Sequence, residues 1–154
     1  MRQLRRSKYQ IPDNEAVRIL QEGEYGILAT CGLDKEPYGT PINYVYDDGF
    51  IYFHCANKGR KIDNLKENNL VGFTVVGKAQ IVLSKYSTNY ESVIVSGEAR
   101  ILSDWEKSKP LLALITKYSP DFLQGANEYI ERYLEKTTVI EIKIADLKGK
   151  RNPG

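Results

Sequence analysis

The stretch that decides the fold is residues 38–64, YGTPINYVYDDGFIYFHCANKGRKIDN. Residues 38–46 place Tyr, Thr, Ile, Tyr and Tyr on one side of the chain and Gly, Pro, Asn and Val on the other. This alternation is typical of a half-buried strand. The sequence DDG follows, and Gly49 can supply the positive φ that closes a hairpin onto residues 50–55, a second strand rich in aromatic residues.

A charged helix start follows this hairpin. Asn57 can accept a hydrogen bond as the N-cap of a helix that buries Ile62 and Leu65. Three cations occupy its beginning: Lys58, Arg60 and Lys61. Each cation at the positive end of a helix costs a few tenths of a kcal/mol, up to about 1, and a bound anion such as phosphate reverses that sign. Solvated surface cations are an equally weighted alternative.

Composition limits the classes of protein to consider. A chain of 154 residues predicts one domain, here 1–154, with a basic arm at 1–10 and a C-terminal tail at 148–154. The 22 basic and 20 acidic residues give a net charge of +2. This charge is too small for the whole surface to attract nucleic acid or a membrane electrostatically. The sequence has no apolar run of about 18 residues, so we expect a soluble cytoplasmic protein.

The two cysteines and the single histidine do not form a metal-binding set. Cys31 and Cys55 lie outside any C-x-x-C pair, and one histidine, His54, cannot complete a zinc site with them. We therefore predict no metal and expect both cysteines to be reduced core thiols.

Four further segments read as strands by the same alternation: 25–31, 70–82, 91–102 and 137–144. Two of them contain an internal glycine, Gly77 and Gly97, which predicts bulges or bends that help a small barrel to close. Simple turn glycines that split shorter strands are the alternative. Six strands joined by local hairpins favour a closed or split antiparallel barrel, a mainly β fold with peripheral helices.

Three more helices are expected. The first starts after Asp13 as N-cap and ends near Gly23. Ser103 and Glu106 form a capping box for the second. Pro110 lies about two turns into that helix, and the sequence leaves open whether it kinks the helix or starts another. Ser119-Pro120 predicts the third, and its expected inner face is the set Tyr129, Ile130, Tyr133 and Leu134.

A longer run, residues 37–73, carries a family resemblance. It is similar to the nitroimidazole-resistance (Nim-type) branch of the pyridoxamine 5'-phosphate oxidase-like family, the FMN-binding split β-barrels. That branch shows a P-Y-x-x-P-x-N-Y strand, a D-G hairpin, a Y-F-H strand end and a G-x-K-x-D helix start, and this chain has each in order. The similarity continues through YESVIVSG at 90–97 and LKGKR at 147–151.

The resemblance implies that FMN lies across a homodimer interface. Lys61 matches the lysine that contacts the phosphate, and Lys58 and Arg60 match it less directly because neighbouring helix positions point about 100° apart. His54 matches a histidine near the flavin and could donate a proton to a substrate. The remaining residues with an implied flavin contact are Tyr38, Gly39, Thr40, Pro41, Asn43, Ser92 and Trp105. Asn43 could equally be an ordinary polar residue on a wet strand, and Trp105 a core anchor.

The predicted function is therefore an FMN-binding oxidoreductase that passes electrons through the flavin to a small acceptor, with a nitroaromatic as one candidate. A non-enzymatic flavin store or sensor is the main alternative. A haem-binding split barrel would need His54 as axial ligand, and an oligonucleotide-binding barrel is disfavoured by the low net charge. The C-terminal segment lacks the arginine and histidine pair of true pyridoxamine phosphate oxidases, which argues against vitamin B6 oxidation.

Overall fold

The structure is a computed structural model that describes residues 5–153. Over these residues an antiparallel sheet has eight strands: β1 Gln10–Ile11, β2 Gly26–Cys31, β3 Pro37–Ile42, β4 Val45–Asp47, β5 Phe50–Ala56, β6 Leu70–Val82, β7 Ser87–Ile101 and β8 Thr137–Asn152. The same range has four α-helices: α1 Asp13–Glu22, α2 Arg60–Glu67, α3 Asp104–Tyr118 and α4 Ala126–Tyr133. The mainly β prediction is confirmed, whereas the prediction of six strands was too low.

The extra strands have local causes. The predicted strand 38–46 is two strands, because the chain leaves the sheet at Asn43 and Tyr44. Tyr44 is fully buried, its hydroxyl donates to the Leu20 carbonyl at 2.6 Å, and its ring packs edge-on against Phe73 at 4.9 Å. Alternation runs through this break unchanged, so the sequence pattern does not reveal it. The other addition is the two-residue β1, which pairs with β8.

Strand order explains why the sheet closes. The hydrogen-bonded path is β3-β2-β6-β7-β8-β5-β4. Its two end strands, β3 and β4, are joined by only two residues, so the sheet must curl until its ends meet. The enclosed core includes Ile51, Phe53, Phe73, Val93 and Ile142, each at or below 1% exposure. The predicted barrel with peripheral helices is therefore confirmed.

Register shifts mark bulges near the internal glycines of β6 and β7, as those glycines predict. The β6–β7 register shifts between Val76 and Ala79, around Gly77, and the β7–β8 register shifts between Ser96 and Gly97. A Cβ at Gly97 would lie 2.5 Å from the Lys143 carbonyl oxygen, so only glycine fits there. Both strands continue through these positions, and the alternative of shorter strands separated by turns is wrong.

Helix boundaries agree with the sequence only in part. The end of α1 at Gly23 and the capping box at the start of α3 are confirmed, but the N-cap position of α1 is Pro12, one residue before the predicted Asp13. Pro110 lies inside a continuous α3 and does not begin a second helix. Glu106 accepts a hydrogen bond from the Ser103 amide at 2.9 Å.

The start predicted for the last helix was wrong. Pro120–Phe122 form a short 3-10 turn, and α4 begins at Ala126 after Gly125, whose φ of 84° is a left-handed conformation that favours glycine. Ile130 is buried as predicted. Tyr129 and Tyr133, also expected inside, are 60% and 40% exposed.

The chain ends also differ from the expectation. Residues 148–152 of the predicted tail continue β8, whose Gly149 lies opposite Ile11 of β1, and a Cβ at Gly149 would lie 2.5 Å from Ile11 Cγ1. Gln10 of the predicted arm pairs with β8, while residues 1–4 lie outside the described range. No helix among the described residues has the length and apolar character needed to cross a bilayer.

Candidate functional site

The beginning of α2 differs from its prediction in its cap. The N-cap is Gly59, with φ of 132°, and not Asn57. The Asn57 side chain instead joins the β5–α2 connection to the beginning of β8: its amide NH₂ donates to the Glu135 carbonyl at 3.1 Å, and its Oδ1 accepts from Thr138 Oγ1 at 2.8 Å. The first turn is therefore Arg60, Lys61 and Ile62, and Ile62 is buried as expected.

Arg60 already has acidic partners within the chain. Its guanidinium lies 2.6 Å from Glu36 and 3.7 Å from Asp34, both in the β2–β3 connection. Its carbon lies 5.1 Å from the centre of the Tyr38 ring. The hydrogen bond to Glu36 is the main reason that the pKa of Arg60 is raised. These contacts hold the first turn of α2 against the beginning of β3.

Lys61 is in a different situation. It is half-buried, and its positive charge partly offsets the rise in the pKa of the Cys55 thiol that burial causes. Between residues 5 and 153 neither Lys61 nor the exposed Lys58 takes part in an ion pair within 4.0 Å. A half-buried cation at the positive end of a helix is unfavourable until an anion joins it.

Strand β3 presents two unlike sides. Tyr38 and Thr40 share a side with Ile42, which is buried, whereas Gly39 and Pro41 are exposed. A Cβ at Gly39 would have its nearest neighbour at 3.6 Å, an ordinary contact, so the fold does not require glycine there. Thr40 Oγ1 is buried and has no hydrogen-bond partner among the described residues. The exposed side of the strand therefore has no bulky side chain at Gly39 and Pro41, and the inner side carries a hydroxyl without a hydrogen-bond partner in the described chain.

Asn43 lies at the junction of β3 and β4, where it contacts the end of α3. Burial raises the pKa of Tyr118, and the Tyr44 backbone and the nearby Asn43 side chain partly offset that rise. The Tyr118 hydroxyl is also 2.6 Å from the Glu24 carbonyl and 2.8 Å from the Tyr44 carbonyl. The structure thus engages Asn43 in anchoring α3.

Ser92 and Trp105 lie apart from the α2 start. Ser92 is on β7, which β2 and β6 separate from β3 in the sheet order. Trp105 is 84% exposed at the start of α3 and lines a cavity of about 320 Å³ with Tyr52 and Arg100. None of the other predicted site residues lines that cavity. The structure does not bring Trp105 together with Lys61 within one chain.

His54 occupies the outer side of β5. Cys55, the next residue, packs against the core, so alternation turns His54 the other way, toward α3 and α4. It lines a cavity of about 210 Å³ with Ile115, Ile130 and Tyr133. His54 as a residue is exposed, but the surrounding residues partly desolvate its ring and lower its pKa below the ordinary 6.5. His54 is therefore neutral at pH 7.

The other residues of this cavity are not among the site residues predicted from the sequence. Tyr129, Tyr133 and Lys136 come from the last helix and the segment after it. The apolar spacing of α4 indicates a packed helix, but only the packing of α4 against α3 brings its tyrosines beside β5. Over the described range, no group of three or more His, Cys, Asp or Glu side chains could hold a metal ion.

Comparison with known proteins identifies the fold. The structure resembles a putative 5-nitroimidazole antibiotic resistance protein from Bacteroides thetaiotaomicron, with a TM-score of 0.79, 22% identity, and coverage of 92% of this chain and 86% of that one. It resembles a FAD-binding protein from Mesorhizobium loti, with a TM-score of 0.67, 23% identity, and coverage of 93% and 96%. It also resembles a FAD and heme binding protein from Mycobacterium smegmatis, with a TM-score of 0.80, 17% identity, and coverage of 95% and 74%.

Comparison by sequence gives one match to a protein family. A search of curated proteins found no match. One family model, described as pyridoxamine 5'-phosphate oxidase, matches residues 12–151, which is nearly the whole chain. The chain belongs to the pyridoxamine 5'-phosphate oxidase family.

Proposed function

We propose that this protein is an FMN-binding oxidoreductase in which Lys61 holds the flavin phosphate. The observation that carries the proposal is Lys61 itself, a half-buried cation at the N-terminus of α2 with no ion-pair partner in the described chain. A phosphate would supply the missing charge and would accept hydrogen bonds from the free amides of the first helical turn. Arg60 would keep its ion pair with Glu36 and would thereby hold the first turn of α2 in place.

The adjoining strand fits a flat ligand. Arg60 contacts Tyr38, which places β3 next to the first turn of α2. The exposed side of β3 carries Gly39 and Pro41, which leave room for a flat ring. FMN, when bound, supplies the electron transfer to a small acceptor, for which a nitroaromatic is the first compound to test.

His54 would act on the acceptor rather than on the phosphate. A neutral imidazole carries one N–H donor and one acceptor nitrogen, so it can hold or pass a proton at neutral pH. Its lowered pKa follows from burial and makes this form dominant. Residues of α3 and α4 around it reduce the access of water.

We infer that a second copy of the chain completes the site. The outer surface of β2, β6 and β7 exposes Ile27, Val76 and Ile94 at 39%, 58% and 41%. Ile27 and Ile94 are both aligned with Thr74, so they lie in one row across three strands. An apolar sheet surface of this kind favours self-association. The family resemblance supports a flavin site at such an interface.

Titration of purified protein with FMN tests the proposal. We expect flavin absorbance that remains with the protein on desalting and a melting temperature that rises with FMN concentration. A protein that stays colourless and shows no shift at saturating FMN would exclude it. Oxidation of NADH or NADPH in the presence of a nitroaromatic would separate an oxidoreductase from a flavin store, and chemical reduction of the flavin would show whether a failure concerns only the electron donor.

A further inference from the structure

A cavity on the outer side of β5 has features of a ligand site. It measures about 210 Å³ and lies between the end of β5 and the helices α3 and α4. Ile115 of α3 and the buried Ile130 of α4 give it apolar walls, and His54 contributes an imidazole. The Lys61 side chain does not line it.

Two tyrosines that line this cavity are exposed and do not belong to the hydrophobic core. The rings of Tyr129 and Tyr133 lie 4.8 Å apart at 46° and remain 60% and 40% exposed. Large aromatic side chains that line a cavity while their rings stay accessible offer edges and faces for another ring. The pair therefore indicates an aromatic ligand.

The charge of the lining indicates the second feature of that ligand. Lys136 lies in the lining, is exposed, and forms no ion pair with any residue from 5 to 153. No aspartate or glutamate lines the cavity. An anionic group would meet one cation and tyrosine hydroxyl donors, without a carboxylate to repel it.

Size restricts the ligand further. Engineered apolar cavities of about 150 Å³ bind benzene, whereas sites for drug-sized ligands measure about 300–1,000 Å³. A volume of about 210 Å³ lies between them and suits one ring with one small substituent.

We infer that this cavity binds a monocyclic aromatic anion, with its ring against Tyr133 and Ile115 and its anionic group toward Lys136. The ligand would contact His54 and would represent the class of acceptor used by the protein. That role rests on the proposed function, whereas binding itself does not require a flavin. Ring size and charge are therefore the two properties by which the cavity selects.

Benzoate is the first probe, because the single histidine gives one imidazole signal in the NMR spectrum. We expect benzoate to shift the His54 ring protons and to bind saturably by calorimetry. Benzamide, which has the same shape without the charge, should bind about tenfold more weakly or worse, and 2-naphthoate should be excluded by size. An unshifted His54 signal, equal binding of benzamide, or equal binding of 2-naphthoate would each overturn the inference.

Matched variants locate the site. Ile115→Phe fills the cavity and should weaken benzoate binding more than tenfold, whereas Leu112→Phe, on the same helix but outside the lining, should leave it unchanged. Lys136→Gln should weaken benzoate about tenfold without affecting benzamide, and the exposed Lys143→Gln is its control. Because Lys136 is exposed, this variant tests the inference even if Ile115→Phe fails to fold. Unchanged benzoate affinity in folded Lys136→Gln would contradict it.

The outcome is separable from that of the proposed function. Benzoate binding by a protein that takes up no FMN would refute the flavin proposal and leave the cavity assignment standing. FMN binding without any benzoate binding would do the reverse.

Discussion

The two sides of β5 differ in the kind of chemistry they offer. On the core side is Cys55, whose thiol pKa is raised by burial and lowered in part by the charge of Lys61, a half-buried cation whose neighbour Arg60 is already paired with carboxylates. On the outer side, His54 lies under α3 and α4 in an aromatic and apolar setting that keeps its ring neutral. The two sides of β5 thus differ in the ligand group they suit: an anionic group near Lys61, and a neutral ring that can exchange a proton with His54.

This difference shows which charges stabilise the fold and which are available to a ligand. Where the chain needs a cation for its own structure, it supplies the partner: Arg151 lies 2.6 Å from Glu15 and 3.1 Å from the buried Glu91. Lys61 has no such partner in the described chain. Changes on the two sides of β5 should therefore have separable effects on binding, turnover and stability.

The largest effect is expected from His54→Gln. If His54 supplies a proton to the acceptor, the turnover number should fall by about 10²–10⁴-fold while FMN affinity stays within about twofold. Steady-state assays with a nitroaromatic acceptor and flavin titrations measure the two quantities. Loss of FMN together with loss of the folded state would instead assign His54 a structural role and remove the distinction between the two sides.

Lys117→Met should disturb the outer side through α3. The Lys117 ammonium donates to the Gly23 carbonyl at 2.7 Å and to the Tyr44 carbonyl at 3.0 Å, and burial lowers its pKa to about 8. Removal of this donor takes the ammonium away from the Gly23 carbonyl and leaves the Tyr44 carbonyl with only the Tyr118 hydroxyl, which should lower the free energy of unfolding by about 1–3 kcal/mol.

Urea denaturation measures this loss. Lys109→Met is the control, because Lys109 is 84% exposed in its pair with Asp47, and it should cost less than about 1 kcal/mol. Equal losses in the two variants would mean that Lys117 does not anchor α3.

Arg60→Gln should have a smaller effect on flavin binding. Because its guanidinium is occupied by Glu36, we expect FMN affinity to change by less than about threefold and stability by less than about 1 kcal/mol. Calorimetric titration with FMN gives the first value and thermal melting the second. A tenfold loss of FMN affinity would show that Arg60, and not only Lys61, contacts the phosphate.

The smallest expected effect is a pH dependence from His54. Its pKa is lowered in the folded protein, so on acidification below about pH 6.5 the unfolded chain takes up a proton first. Above about pH 6.5 the ring is neutral in both states and His54 does not reduce stability. As the pH falls from there toward the lower pKa of the folded state, protonation of the unfolded chain decreases the free energy of unfolding. Between pH 7 and pH 5 the melting temperature should therefore decrease more for the wild type than for His54→Gln. Equal falls would mean that the ring is solvated in the folded state.

Much of the fold could be predicted from local pattern. Alternation identified the long strands, and the glycines at 77 and 97 indicated their bulges because a ladder tolerates glycine best where it bends. The break at Asn43 and Tyr44 could not be predicted, since Tyr44 faces the core both in an unbroken strand and in the observed connection. The start of α4 depends on the left-handed conformation of Gly125, which nothing in the preceding Pro120 turn requires.

The candidate site was predictable only where it is local in sequence. Lys61 stands out from its helix position and from the family resemblance. The pairing of Arg60 with Asp34 and Glu36 depends on how α2 packs beside the β2–β3 connection, and the aromatic cavity at His54 depends on α4. Both are long-range contacts, which periodicity does not contain.

The most direct test of the account compares FMN with riboflavin in wild type and Lys61→Ala. The substitution removes a charge-assisted hydrogen bond worth about 1.5–3 kcal/mol, so FMN affinity should fall by about ten- to a hundredfold. Riboflavin, which lacks the phosphate, should bind both proteins alike, and the ligand-free variant should melt no lower than wild type, because a cation has left the positive end of α2. Equal losses of affinity for FMN and riboflavin would contradict the assignment of Lys61 to the phosphate.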